Sequence, residues 1–165
     1  MGTILSIFSA LFILSCDIGM DNSFKAYMDY RYLMNQSSIQ YEMQQEAWTD
    51  HEGFRRLGDR YMVALGSYYT DYICGEPFII VFEDDTFIWC VVGDMKADVH
   101  TDSTNRYQVV NNELGSIVEF IVDTDTLLKE IIISGDCNYR FPGQIKYIVR
   151  ESDIADASLF NINKQ

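Results

Sequence analysis

Two apolar runs, Phe78-Ile79-Ile80-Val81-Phe82 and Phe87-Ile88-Trp89-Cys90-Val91-Val92, stand either side of Glu83-Asp84-Asp85-Thr86. Aromatic and β-branched residues suit a pleated, half-buried surface, and a short polar link between two such runs suits a hairpin turn. The middle of the chain is thereby committed to sheet. Tyr61-Met62-Val63-Ala64-Leu65, closed by Gly66, and the runs at 116–122 and 144–149 are further strand candidates. Residues 127–133 fit either a helical turn or a strand. Five or six short strands separated by Gly and Asp predict a small all-β barrel.

The amount of apolar residue allows such a core. Of 165 residues, 48% are apolar and 14% aromatic, which excludes global disorder and suits one domain with an appended segment. The net charge is −13. A field of that sign repels phosphate backbones and anionic membrane surfaces, so nucleic acid is excluded as an expected partner.

The amino-terminal part reads differently. Residues 4–14 form an apolar run too short to span a bilayer and of the length found in signal peptides, although no Lys or Arg precedes it. Ser15-Cys16 follows, a loose match to a lipoprotein processing site, and Met1-Gly2-Thr3-Ile4-Leu5-Ser6 also fits the myristoylation pattern. The expectation is an exported or cell-surface protein, secreted or lipid-anchored. The segment 38–48 lacks Gly and Pro, so it predicts a short helix capped by Ser38, with Ile39, Met43 and Ala47 as its buried stripe. The aromatic residues around this helix make the N-terminal segment a candidate surface for a protein partner. The expected division is a signal or lipoprotein segment at 1–16, a helix-containing extension at 17–57, a β-domain at 58–150 and a tail at 151–165.

No C-x-x-C pair occurs, so the four cysteines signal neither zinc nor a thioredoxin-like motif. In an exported chain a Cys74–Cys137 disulfide is open, while Cys90, inside an apolar run, reads as a small core residue.

Chemistry concentrates after the second hairpin strand, in Gly93-Asp94-Met95-Lys96-Ala97-Asp98-Val99-His100-Thr101-Asp102-Ser103-Thr104-Asn105-Arg106-Tyr107. Asp94, Asp98 and Asp102 recur every fourth residue, which in an extended chain puts them on one face. Clustered carboxylates repel, so one can retain a proton and act as a general acid. His100 can relay protons, and Lys96 or Arg106 can hold a neighbouring acid ionised. Asp, Asn, Ser and Thr equally suit a well-capped loop or a calcium loop, though the D-x-D-x-D-G spacing is absent. All three readings stay open at this stage. Tyr68, Tyr69 and Tyr72 are candidate sugar-stacking rings, whereas Trp89, within an apolar strand, reads as core.

The order of these features resembles a double-psi β-barrel. It is similar in particular to the small bacterial cell-wall domains named for three aspartates, related to lytic transglycosylases, expansins and resuscitation-factor proteins. The matching stretches lie between Gly58 and Val149, with Gly93-Asp94-Met95-Lys96-Ala97-Asp98 and His100-Thr101-Asp102 in the region of the family's acids. The resemblance implies a mainly β fold, a small six-stranded double-psi-like barrel preceded by a short helical segment. It implies a partner, a cell-wall glycan (peptidoglycan or another polysaccharide), bound or cleaved without metal or cofactor. Asp102 or Asp98 would then be the proton donor and Asp94 its supporting carboxylate. Asp94, Asp98, Asp102 and His100 are the expected catalytic residues. Tyr68, Tyr69, Lys96, Asn105 and Arg106 are the expected substrate contacts. The competing expectation is a non-enzymatic interaction module, such as a phage-particle or assembly component.

Overall fold

The computed structural model describes residues 22–110 and 114–154. The expectations for residues 1–16 and for most of the C-terminal tail fall outside these described residues.

The predicted hairpin forms. β5 (Pro77–Phe82) and β6 (Phe87–Lys96) pair antiparallel, with Ile80 opposite Ile88. Asp85 takes the left-handed turn position at φ 64°, and Asp84 Oδ1 accepts from the Thr86 N–H at 3.0 Å. β4 (Arg60–Gly66) lies between β6, to which it is parallel, and β9 (Val118–Val122), to which it is antiparallel. A strand with neighbours on both edges and covered faces reads as a continuous apolar run, and residues 61–66 are all buried. β1 (Ala26–Asp29) adds parallel to β9, and β10 (Ile145–Arg150) adds antiparallel to β5. Two short strands, β2 (Trp48–Thr49) and β3 (Arg55–Leu57), hang from β4, while β7 (Gln108–Val110) and β8 (Leu114–Ser116) make a separate hairpin.

The expected six-stranded double-psi barrel is not what forms. The principal sheet has eight strands, mixed and open, running β1-β9-β4-β6-β5-β10 with β2 and β3 to the side. No ladder joins β1 to β10. The reason lies at the seam. β1 is four residues long, and the chain around Lys25 is taken up by a turn instead of by β10. The Lys25 N–H donates to Asp136 Oδ1 at 2.9 Å, and the Cys137 N–H donates to the Lys25 carbonyl at 2.8 Å. Asn22 meets β10, exchanging hydrogen bonds with Ile145 at 3.1 and 3.3 Å. Lys25 itself is fully buried, and its ammonium donates to the carbonyls of Ser23 and Gly143, both at 2.6 Å, and to Asn138 Oδ1 at 3.1 Å.

Phe54, Tyr61, Phe120 and Phe141 form the centre of the main core. Phe120 stacks on Phe141 at 4.7 Å, and Phe54 meets Phe120 edge-on at 5.5 Å. Edge-to-face and offset contacts suit the ring quadrupole. The helix α1 (Ile39–Glu46) starts as predicted, with Ser38 Oγ accepting from the Tyr41 N–H. Its buried side differs: Ile39 is exposed, and Met43 with Gln44 faces the sheet. Gln44 is held there by Arg55, whose Nε donates to its Oε1 at 2.9 Å. The ambiguous segment resolves as a helix, α2 (Lys129–Ser134), ended by Gly135 in the left-handed conformation. Trp89 is half-buried on the outer face beside Phe87, under the Arg60 guanidinium. Cys74, Cys90 and Cys137 are free thiols, so the Cys74–Cys137 disulfide does not form. Cys137 belongs to the main core and Cys74 borders a different cluster beside α1.

Asp29 ties the first strand to the 123–125 turn. It accepts from Arg31 Nε at 2.6 Å and from Thr124 Oγ1 at 2.6 Å. The Arg31 guanidinium, followed by the Thr124 donors, outweighs the burial cost and holds the Asp29 carboxyl well below its ordinary value. A depressed folded pKa means the contribution is complete above the unfolded value, near ~3.9, and fades as pH falls through the lower folded value. Thermal melts of the wild type and Asp29→Asn between pH 6 and pH 2 should therefore differ most at the upper end and converge at the acid end. A gap that widens on acidification would refute this.

Candidate functional site

The acidic stretch is not an extended chain. Asp94 lies on β6, Asp98 opens a 3-10 turn (Asp98–His100), and Asp102 sits in a loop closed by the Thr101–Gln108 bridge. Each carboxylate has its own partner. Asp94 Oδ1 accepts from Gln40 Nε2 on α1 at 3.0 Å, and Asp98 accepts from the Ser67 hydroxyl. Asp102 Oδ1 accepts from Thr104 Oγ1 at 2.7 Å and from the N–H groups of Thr104 and Tyr107. Burial opposes its charge, but these donors prevail and keep Asp102 below its ordinary pKa. These bonds make Asp102 the cap of its own loop. Asn105 is also structural: it takes φ 57° at the loop tip, and its Oδ1 accepts from the Thr101 hydroxyl at 3.0 Å. Among the described residues, no three His, Cys, Asp or Glu side chains gather as metal ligands do.

The loop nevertheless builds two concave sites, one on each side. The first is a cleft of about 840 Å³. At its floor Lys96 of β6 forms an ion pair with Glu119 of β9, both side chains mostly buried. The register explains this pair. Ala64 on β4 is opposite Asp94 on one side and Glu119 on the other, and its small side chain leaves room above the strand. Asp94 and Lys96, two apart on one strand, share a face. Lys96 Nζ also contacts Met28 Sδ at 3.4 Å. Tyr27, the Asp29–Arg31 pair, Gln108 and Thr124 form the walls, with His100 and the 81%-exposed Tyr32 at the rim. Burial pushes the Tyr27 phenol above its ordinary pKa, with the Cys137 thiol adding to the effect.

The second site is a groove of about 510 Å³ that collects Tyr68, Tyr69 and Arg106 with Tyr72 and Tyr147. Tyr68 and Tyr69 meet edge-on at 5.1 Å, as do Tyr69 and Tyr72 at 5.6 Å. The Arg106 guanidinium lies 5.4 Å from the Tyr68 ring centre, and its Nε donates to the Tyr69 hydroxyl. Burial pushes the Tyr69 phenol up to about 12.

Of the expected site residues, then, Lys96 and His100 share the polar cleft, while Tyr68, Tyr69 and Arg106 share the tyrosine groove. Asp94, Asp98 and Asp102 are held apart by separate partners. Glu119 was not anticipated. Its signal was a single acid inside Val118-Glu119-Phe120-Ile121-Val122, a run that otherwise demands burial. Such an acid requires a counter-ion, and Lys96 is that partner. In the N-terminal aromatic segment, Tyr27 and Tyr32 belong to the cleft, Tyr30 lies under the Arg55 guanidinium at 4.5 Å, and Met34 and Trp48 are exposed.

Comparison with protein-family models, curated proteins and solved structures gives no match. The expected membership of the three-aspartate barrels is overturned by this result together with the open sheet.

Proposed function

We propose that this protein binds a cell-wall glycan in the cleft over the Lys96–Glu119 pair. The observation that carries the reading is this ion pair on the floor of a cleft rimmed by tyrosine. Sugar hydroxyls both donate and accept, and the cleft supplies both partners: Glu119 and Gln108 Oε1 accept, while Lys96 donates. The exposed Tyr32 ring offers a flat apolar face to a pyranose. Such a ligand calls for a chain at the cell surface, the location expected from residues 4–14.

Binding is favoured over cleavage. Glycosidic cleavage by an acid needs a carboxyl that holds its proton, and the cleft's two carboxylates, Asp29 and Glu119, are each ion-paired, with Arg31 and Lys96. Incubating the protein with peptidoglycan sacculi should sediment it and release no soluble muropeptides by mass spectrometry. Tyr32→Ala should weaken sedimentation roughly fivefold, on the order of one stacked ring, and Glu119→Gln should weaken it further. Protein left wholly in the supernatant would refute the reading. Soluble anhydromuropeptides would replace it with an enzymatic one.

A further inference from the structure

The tyrosine groove has a geometry that the glycan reading does not use. Among the described residues, β10 is the last strand of the open sheet and is laddered only to β5. Five of its six residues, Ile145 and Tyr147 through Arg150, line the groove. Successive strand residues point to opposite faces. Consecutive residues therefore line one groove together only if it runs along the strand's edge, with main chain as its wall. The opposite wall is the turn at residues 68–72, which overhangs the edge. At one end Arg150 Nη1 donates to the Asp71 carbonyl at 3.4 Å, and at the other Asn22 meets Ile145.

We propose that this groove takes an extended, basic peptide segment of a partner protein, which adds to the sheet as a further strand against β10. An edge that presents main-chain N–H and C=O groups at strand spacing matches another peptide main chain. The tyrosine wall receives the apolar side chains that point inward. A groove of about 510 Å³ between this edge and the turn holds a few residues of one extended segment and not the sheet of a second copy. Charge selects the peptide type. The groove's own charges balance, Arg106 and Arg150 against Asp71 and Asp153, with Arg150 held by Asp153 at 2.9 and 3.0 Å, so the field of the whole chain decides. The exposed carboxylate of Asp71 stands at the groove's lip, on a chain whose net charge is −13. A cationic segment is drawn to that field.

The test uses the full chain and a labelled synthetic octapeptide of alternating lysine and valine, followed by fluorescence anisotropy. Two further versions carry N-methyl groups on the odd or on the even peptide nitrogens, and a fourth alternates glutamate and valine. The lysine peptide should bind at least tenfold more tightly than the glutamate peptide. One N-methylated version should bind nearly as well as the parent and the other at least tenfold less, because only one edge of an added strand faces β10. In the complex, hydrogen exchange should slow at residues 147–150, and Tyr68→Ala should weaken binding severalfold. Equal binding of both N-methylated versions would overturn strand addition. Preference for glutamate would overturn the charge assignment, and no binding, or protection elsewhere, would overturn the site.

Discussion

Lys25→Ala should lose about 3 kcal/mol of stability, among the largest single-residue effects in the protein. The side chain is fully buried and donates to the Ser23 and Gly143 carbonyls and to Asn138 Oδ1. Truncation takes the ammonium away from the two carbonyls, leaves Asn138 Oδ1 with the Gly143 N–H, and opens a cavity against Phe82, whose ring centre lies 5.5 Å from the ammonium. Lys25→Met separates the two costs. It restores most of the volume and none of the donors, so it should recover roughly 1 kcal/mol and no more. Urea denaturation of the three proteins measures this. If Lys25→Met equals the wild type, the hydrogen bonds across the seam contribute nothing net and the account of why β1 and β10 stay unladdered fails with them.

The seam also marks the boundary of what could be read from the chain. The hairpin of β5 and β6 was legible because apolar runs and a polar turn are local signals, and the turn residues match the turn geometry. The capped start of α1 was legible for the same reason. Closure of the sheet was not, because it depends on which distant partner a four-residue strand finds. In Phe24-Lys25-Ala26-Tyr27-Met28-Asp29 the alternation is clouded by a lysine that turns out to be buried. Nor was the floor of the cleft legible from spacing along one segment. The aspartates repeat every fourth residue, but the chain leaves the extended conformation after Lys96, so sequence spacing ceased to report proximity. The acid that does face Lys96 comes from β9, more than twenty residues on, brought there by register with Ala64.

Gly66→Ala should disable both concave sites at once. A Cβ at Gly66 would lie 2.2 Å from the Asn105 carbonyl oxygen and 3.2 Å from its carbon, so the obstacle is main chain and cannot rotate aside. That main chain is also pinned, since the Tyr68 N–H donates to the same oxygen at 3.0 Å and Asn105 already occupies the left-handed region. The loop between β6 and β7 must lift off the end of β4. It carries His100 of the cleft and Arg106 of the groove and leads directly into Gln108, so glycan and peptide binding should each fall more than tenfold. The stability cost should be about 1–3 kcal/mol, typical of overpacking. Gly93→Ala is the control. Its Cβ would meet Ile121 Cδ1 at 2.4 Å, the far end of a flexible side chain, so some stability should be lost while both ligands still bind. Faster hydrogen exchange at the Tyr68 amide in Gly66→Ala, with the β5–β6 hairpin unchanged, would locate the damage at the loop. Undiminished binding of either ligand by that variant would show that the loop does not shape the corresponding site.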